Sequence, residues 1–406
     1  MAGAFDVIVV GARCAGSPTA MLLARKGYKV LLVDKSTFPS DMPLSTHWVH
    51  QPSIDRLDKW GLLPNLLASG CPPIKTYTFD FGPLVLRGAP RPSGNARFSY
   101  APRRKVLDNI VLEGAVAAGA ELREGVDVQG LVWEGGTVVG IKAHARSGLN
   151  FEERGAIVIG ADGMDSKVAG WVQAPSYNEQ PAKQGGVWAY YSGVPLDGTE
   201  LWMRPGRATF GLPTNDGQSL IVSAWGIDRF EGARHGGEKA FVEGISDIAP
   251  AFAERVSAGK RESGFVSAAV EGYYRKPFGA GWALVGDAGY KKDPCTASGI
   301  TDAYREAEAL SEAIDAGFRG RLPLQESLAA YEQTRNEVTM AHYQLTEDMA
   351  ALEPPPEDLQ KVLLACSRNP EALSQFFGVI AQTVPEQEFF APENLSRILG
   401  GEQVPS

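Results

Sequence analysis

Three short stretches, far apart in the chain, carry residue types that hold a phosphorylated ligand. The first is Gly11-Ala12-Arg13-Cys14-Ala15-Gly16-Ser17, set between the apolar run Phe5–Val10 and a helix-like segment; Asp34 and Lys35 follow the next apolar run. Gly11 permits a tight turn, Gly16 lets helix and strand approach, and the helix start offers backbone N–H groups to a pyrophosphate. Asp34 falls close to the position, about 20 residues on, where an acidic side chain meets a ribose. Arg13 stands where such turns carry their middle glycine. Its side chain crowds the phosphates unless the backbone shifts or the guanidinium itself pairs with them.

The second stretch, Ile159-Gly160-Ala161-Asp162-Gly163, ends an apolar run on an Asp-Gly turn. That suits a ligand-facing strand end, and equally a plain turn. The third runs from Gly286-Asp287 through Pro294-Cys295 to Gly299-Ile300. Asp287 at a strand end can accept hydrogen bonds from hydroxyls. Gly299 opens a segment with Ile300, Ala303, Ala307, Leu310 and Ile314 on one stripe, a helix whose positive end favours negative charge before it.

The elements that position these stretches follow from pattern and punctuation. Phe5–Val10, a helix over 15–26 and a strand over 28–33 make one βαβ unit, with Pro18 in the helix's first turn and Gly27 at its end. A helix starts at Pro102 and contains Arg103 and Arg104; short Gly-separated strands and the buried strand "GAIVIG" follow. Residues 185–274 are aromatic-rich and alternate in strand fashion, whereas "GWALVGDAG" returns to a buried parallel strand and the chain beyond Gly317 reads as helical. The expected fold is α/β, with a discontinuous Rossmann-like domain (1–75, 100–175, 275–320), a mostly antiparallel insertion (76–99, 176–274) and a helical region (321–406).

Composition narrows the partners. The 406 residues carry a net charge of -9 and no basic patch, which argues against nucleic acid and anionic membrane. The four cysteines are far apart, form no CxxC and read as reduced thiols rather than staples or a metal site. No apolar run approaches a membrane span and no signal peptide is apparent, so a soluble cytoplasmic protein, monomer or homodimer, is expected.

Taken together and in this order, the three motifs resemble the large FAD-dependent family that includes aromatic-hydroxylase-like monooxygenases, geranylgeranyl reductases and flavin halogenases. The resemblance covers most of the chain. It implies FAD held by Gly11, Ala12, Arg13, Gly16 and Ser17 at the pyrophosphate, by Asp34 and Lys35 at the adenosine ribose, and by Ala161, Asp162 and Gly163 beside the flavin. It further implies Gly286 and Asp287 at the ribityl chain, and Pro294, Gly299 and Ile300 where a helix points at flavin N1/O2. "PRRKVLD" resembles the segment with the family's flavin-contacting arginine, Arg104 or else Arg103. NAD(P)H is implied as a transient co-substrate without a second nucleotide domain.

The branch is read from departures. The halogenase W-x-W-x-I-P motif does not match "GVWAYYSGVP", and Ser45-Thr46-His47 replaces the Cys-Gly of geranylgeranyl reductases. The hydroxylase D-G-x-x-S-x-x-R matches at Asp162, Gly163 and Ser166 but holds Ala169 at the Arg position; "GDAGYKKDP" departs from G-D-A-A-H. The chain looks most like a loosely defined bacterial subgroup of FAD-dependent oxidoreductases.

By the family's layout His47 or His50 lies near the isoalloxazine and is a candidate acid/base, the alternative being a structurally satisfied imidazole. Trp188, Tyr190, Trp202, Phe210 and Trp225 form either an aromatic wall over the flavin or a sheet core. Arg204 pairs with a substrate carboxylate or phenolate, or is solvated. Cys295 shields the flavin or is a small buried hydrophobe. The expected activity is NAD(P)H- and O₂-dependent oxygenation of an apolar or aromatic small molecule; the alternatives are C=C reduction and flavin binding without turnover.

Overall fold

The computed structural model describes residues 5–400; the ends of the first and last expected segments, 1–4 and 401–406, lie outside them. Strand β1 (Phe5–Val10) runs into helix α1 (Gly16–Arg25) and back into β2 (Val30–Asp34). α1 is one residue shorter at each end than expected, and the second strand takes in Asp34. Helix α2 (Arg104–Ala117) precedes β3 (Glu121–Glu124). Strand β4 (Asn150–Gly160) follows an antiparallel hairpin over Val126–Glu134 and Thr137–Ala145.

β4 serves two sheets. Its first half pairs antiparallel with the hairpin, Asn150 opposite His144, and its second half pairs parallel with β1, Val10 opposite Gly160. The insertion builds a second sheet on β5 (Gln184–Ser192), β6 (Thr199–Arg204), β7 (Arg207–Pro213) and β8 (Gln218–Gly226). Tyr77–Asp80 joins it, parallel to β6. Residues 227–258 are three helices, Ile227–His235, Gly237–Ser246 and Pro250–Ala258. The strand-like reading of 185–274 missed them, because Phe230, Phe241 and Phe252 face one side of the new sheet and give the segment its aromatic content.

β9 (Trp282–Leu284) then returns to the first sheet, in parallel beside β4. Helices α3 (Gly299–Phe318), α4 (Leu324–Ala350), α5 (Glu357–Ser367), α6 (Pro370–Ile380) and α7 (Glu386–Phe389) follow. Parallel pairing runs β9-β4-β1-β2-β3. Alternate β1 residues explain the layers: Val7 and Val9 join Leu107 and Leu310 of the helices, whereas Ile8 and Val10 join Leu131 and Ile141 of the hairpin. The carboxyl ends of β1, β4 and β9 therefore lie side by side, and the three motifs follow directly on them. Among the described residues no helix is long and apolar enough to cross a membrane.

That convergence requires glycine. A Cβ on Gly16 would lie 1.8 Å from the Gly11 carbonyl oxygen, whereas one on Gly170 meets nothing within 4 Å. Gly16→Ala is expected to lose about 1–3 kcal/mol in urea unfolding, and Gly170→Ala to be neutral or slightly stabilising.

Candidate functional site

At the first turn Gly11 adopts φ +104, and a Cβ there would sit 2.3 Å from the Ala161 carbonyl oxygen. The turn thus presses on the end of β4, whose Ala161 N–H donates to the Val10 carbonyl at 2.8 Å. Arg13 neither crowds this turn nor aims across it. Its guanidinium swings sideways, to Asp108 Oδ2 at 2.6 Å and Ser40 Oγ at 2.9 Å, with Phe38 beneath it. The N–H groups of Arg13, Cys14, Ala15 and Gly16 meet no acceptor among the described residues. Ser17 Oγ donates to the Ala12 carbonyl, 2.8 Å away. Asp34 is fixed by the N–H groups of Ala12 (2.8 Å) and Ser36 (2.7 Å), with lone pairs to spare, while Lys35 is exposed.

Arg104 lies buried behind this turn, donating to Asp108 at 2.9 and 3.1 Å. Cys14 Sγ is 3.1 Å from the same fully buried carboxylate. Two guanidiniums share one carboxylate, which leaves a net positive charge beside the free N–H groups. Asp108 was not singled out from the sequence, although its i+4 spacing from Arg104 in "RRKVLD" is the signature of a helical ion pair.

The Asp162 carboxylate is spent on its own turn, accepting from Ser166 Oγ at 2.5 Å and the Val168 N–H at 3.1 Å. Gly163, at φ +82 with open space where a Cβ would be, is what this turn presents. At the third turn the Gly286 N–H donates to Glu306 Oε2, 3.0 Å away, and a Cβ on Gly286 would strike Ala15. Among the described residues no side chain hydrogen-bonds the Asp287 carboxylate; burial raises its pKa while Arg104, Lys291 and Lys292 pull it down. Pro294 and Gly299 are exposed, Ile300 is buried, and the N–H groups of Gly299, Ile300 and Thr301 lack acceptors among the described residues. Two uncapped helix starts, a partnerless carboxylate and an anchored Asp34 form a donor and acceptor set that fits the phosphates, hydroxyls and anionic ring edge of FAD.

His47 and Tyr190, 143 positions apart, come together with Nε2 and the phenol oxygen at 2.8 Å. His47 is 1 % exposed, and its Nδ1 has no partner among the described residues. Burial, helped by Arg103 and Arg104, drives its pKa down to about 3. Burial raises Tyr190 to about 12. Arg103 is not beside Arg104 in role: its Cζ stacks 3.8 Å over the Tyr190 ring and its Nη2 pairs with Asp41 at 2.6 Å.

The other sequence candidates sit elsewhere. His50 is buried between the Tyr77 hydroxyl (3.3 Å) and the Thr296 carbonyl (3.0 Å), and burial lowers its pKa to about 4. Trp202 stacks on Phe252 and packs with Trp225 against the three inserted helices, away from Trp188, Tyr190 and Phe210. Arg204 binds Asp80 at 2.9 Å at the strand junction. Trp202 and Arg204 thus share one face of β6, with Leu201 and Met203 on the other, because alternate residues of one strand face opposite sides. Cys295 Sγ lies 3.5 Å from the Thr346 carbonyl, and burial raises its pKa.

Asp108→Asn leaves two guanidiniums over a neutral amide and is expected to cost about 3–5 kcal/mol in urea unfolding, much of it recovered by Asp108→Leu with Arg104→Met. A pH series supplies a second check. Below the unfolded pKa near 6.5 the unfolded chain takes up a proton at His50 that the native site refuses. The stability advantage of wild type over His50→Gln should therefore shrink from pH 6.5 to 4, by up to ~1.4 kcal/mol per unit.

Comparison with known proteins agrees with this geometry. The family described as FAD binding domain matches residues 4–346. A digeranylgeranylglycerophospholipid reductase from Methanosarcina mazei is 30% identical over 340 residues, covering 79% of each chain. The solved flavin-dependent brominase Bmp2 superposes with TM-score 0.80 at 20% identity, covering 98% of this chain and 97% of that one. OxyS anhydrotetracycline hydroxylase from Streptomyces rimosus gives TM-score 0.70 at 19% identity, covering 93% of this chain and 76% of that one. The chain belongs to the FAD-binding-domain family of FAD-dependent oxidoreductases.

Proposed function

We propose that the chain is an FAD-dependent monooxygenase that uses NAD(P)H and O₂ to oxygenate an apolar or aromatic small molecule. The observation that carries this reading is the buried His47–Tyr190 contact on the same face of the inserted sheet as Trp188 and Phe210. We take 1–75, 100–175 and 275–320 as the cofactor part, 76–99 and 176–274 as the substrate part, and 321–406 as a helical cover.

The Gly11–Gly16 turn would hold the pyrophosphate, with the Arg13–Asp108–Arg104 charge behind it. Asp34 would hold the adenosine ribose, Asp287 the ribityl chain, and the start of α3 the pyrimidine edge of the flavin. Bound FAD supplies electron transfer from NAD(P)H and the activation of O₂. The protein's share is exclusion of water and orientation of one substrate hydroxyl. With His47 held near pKa 3 and Tyr190 near 12, both are neutral at pH 7. With Nε2 of His47 as the acceptor, the Tyr190 phenol donates to it, and the phenol oxygen would accept a hydrogen bond from a substrate hydroxyl and orient it without taking its proton. Arg103 over the phenol ring places positive charge beside that oxygen and would favour a substrate oxygen carrying partial negative charge.

A second reading, reduction of a C=C bond, is favoured by the similarity to the methanogen reductase. Purified protein is expected to be yellow or to take up FAD, and a chain that does neither sinks both readings. Oxygen-dependent consumption of NAD(P)H with an aromatic substrate supports the first; anaerobic reduction of a prenyl double bond supports the second. Under the first reading, Tyr190→Phe should keep the flavin spectrum and lose roughly 100-fold in substrate turnover.

A further inference from the structure

The residue at the start of the flavin-facing helix is a serine that does not do what serines there usually do. Ser298 precedes Gly299, the first residue of α3, and its side chain makes no capping hydrogen bond. An N-cap serine ordinarily accepts from the N–H two or three residues on, and that contact is among the more favourable in a helix. Here the backbone of Ser298 is right-handed helical (φ -95, ψ -8) instead of extended, and the hydroxyl is turned inward. Its Oγ lies 2.9 Å from His342 Nε2 on α4, and His342 Nδ1 lies 2.6 Å from Glu386 Oε1 on α7. Ser298 and His342 are buried.

The chain has a direction. An ionised Glu386 accepts the Nδ1 proton of His342, so Nε2 is the acceptor and the Ser298 hydroxyl is the donor. The Thr296 carbonyl at 3.1 Å and hydroxyl at 3.2 Å, two residues before Ser298, lie on the same inward side as alternative acceptors for the hydroxyl's single proton. That carbonyl is also the partner of His50 Nε2, and the Thr296 hydroxyl meets that of Thr346 at 3.0 Å. A buried polar lattice from three elements therefore holds Ser298 away from its own helix. The Ile300 and Thr301 N–H groups, which a capping serine would fill, meet no acceptor among the described residues.

We propose that His342, oriented by Glu386, is a positioning residue that keeps α3 uncapped so that its N-terminal N–H groups remain available to the cofactor. This rests on the reading that α3 faces the flavin. Without His342 or the tautomer Glu386 imposes, Ser298 is released to cap its own helix and competes with the flavin for the same donors.

The test is FAD affinity of flavin-free protein, measured by quenching of FAD fluorescence. His342→Leu is expected to weaken binding about fivefold, the equivalent of one capping hydrogen bond. The deciding measurement is the double variant. Ser298→Ala alone should bind close to wild type, and Ser298→Ala with His342→Leu should recover most of the affinity that His342→Leu loses, because the competing cap is gone. Deleting an orphaned buried hydroxyl also repairs a structural loss, so urea unfolding of the same variants separates the two: affinity that recovers while stability does not follow supports the proposal, and the two moving together overturns it. Should His342→Leu fail to fold, Glu386→Leu, at a side chain nearer the surface, replaces it, alone and with Ser298→Ala. Wild type that binds no FAD removes the underlying reading. Wild type that binds, with single variants unchanged or a double variant no better than His342→Leu, overturns this proposal alone.

Discussion

Backbone N–H groups that meet no acceptor among the described residues govern the arrangement of this molecule. They occur at the start of α1, just beyond the carboxyl end of β1, and at the start of α3. Unpaired donors are costly when buried and inexpensive when they face a groove or a ligand. The glycines bring the turns close enough for the donors to converge, with Gly11 against Ala161 and Gly286 against Ala15. Side chains that might have filled the donors are engaged elsewhere: Asp162 in its own turn, Ser17 on Ala12, Ser298 on His342.

Electrostatics reinforce the same edge. Asp108 gathers Arg13 and Arg104 from two helix starts and neutralises only one of them. Asp287 lies within the electrostatic reach of Arg104, Lys291 and Lys292, and no side chain among the described residues hydrogen-bonds its carboxylate. Glu306 backs the turn, and burial raises it to about 7. Farther along, His47 and Tyr190 are both pushed by burial toward their neutral forms, so a polar pair persists within an apolar face. One end of the groove is thus charged and hydrogen-bonding, the other mostly aromatic.

Much of this was legible because turn chemistry is local. Gly11, Gly16, Asp34, Asp287 and Gly299 were read from spacing and strand context; Gly11 and Asp287 fall on the turns after β1 and β9, Asp34 ends β2, and Gly16 and Gly299 open α1 and α3. Contacts across the fold were not legible. Arg13 meets Asp108 95 positions away, and Ser298 meets His342 44 positions away, with no local signal for either pairing. Trp202 misled because alternation reveals that a strand has two faces without saying which one the ligand side takes. The helices over 227–258 were hidden by the aromatic residues they contribute to the same sheet.

The late return of β9 has a consequence for how the chain is made. Its register, Val158 opposite Trp282, joins segments separated by the whole inserted sheet. During synthesis β1, β2 and β4 can associate early, but the strand that delivers Asp287 emerges only after the second sheet. Until then β4 exposes an unpaired, apolar parallel edge, the kind of surface that invites association with other chains. Closing it last ties the shared edge of β1, β4 and β9 to completion of the inserted sheet, so a chain truncated within the insertion would lack the third motif and keep an open edge.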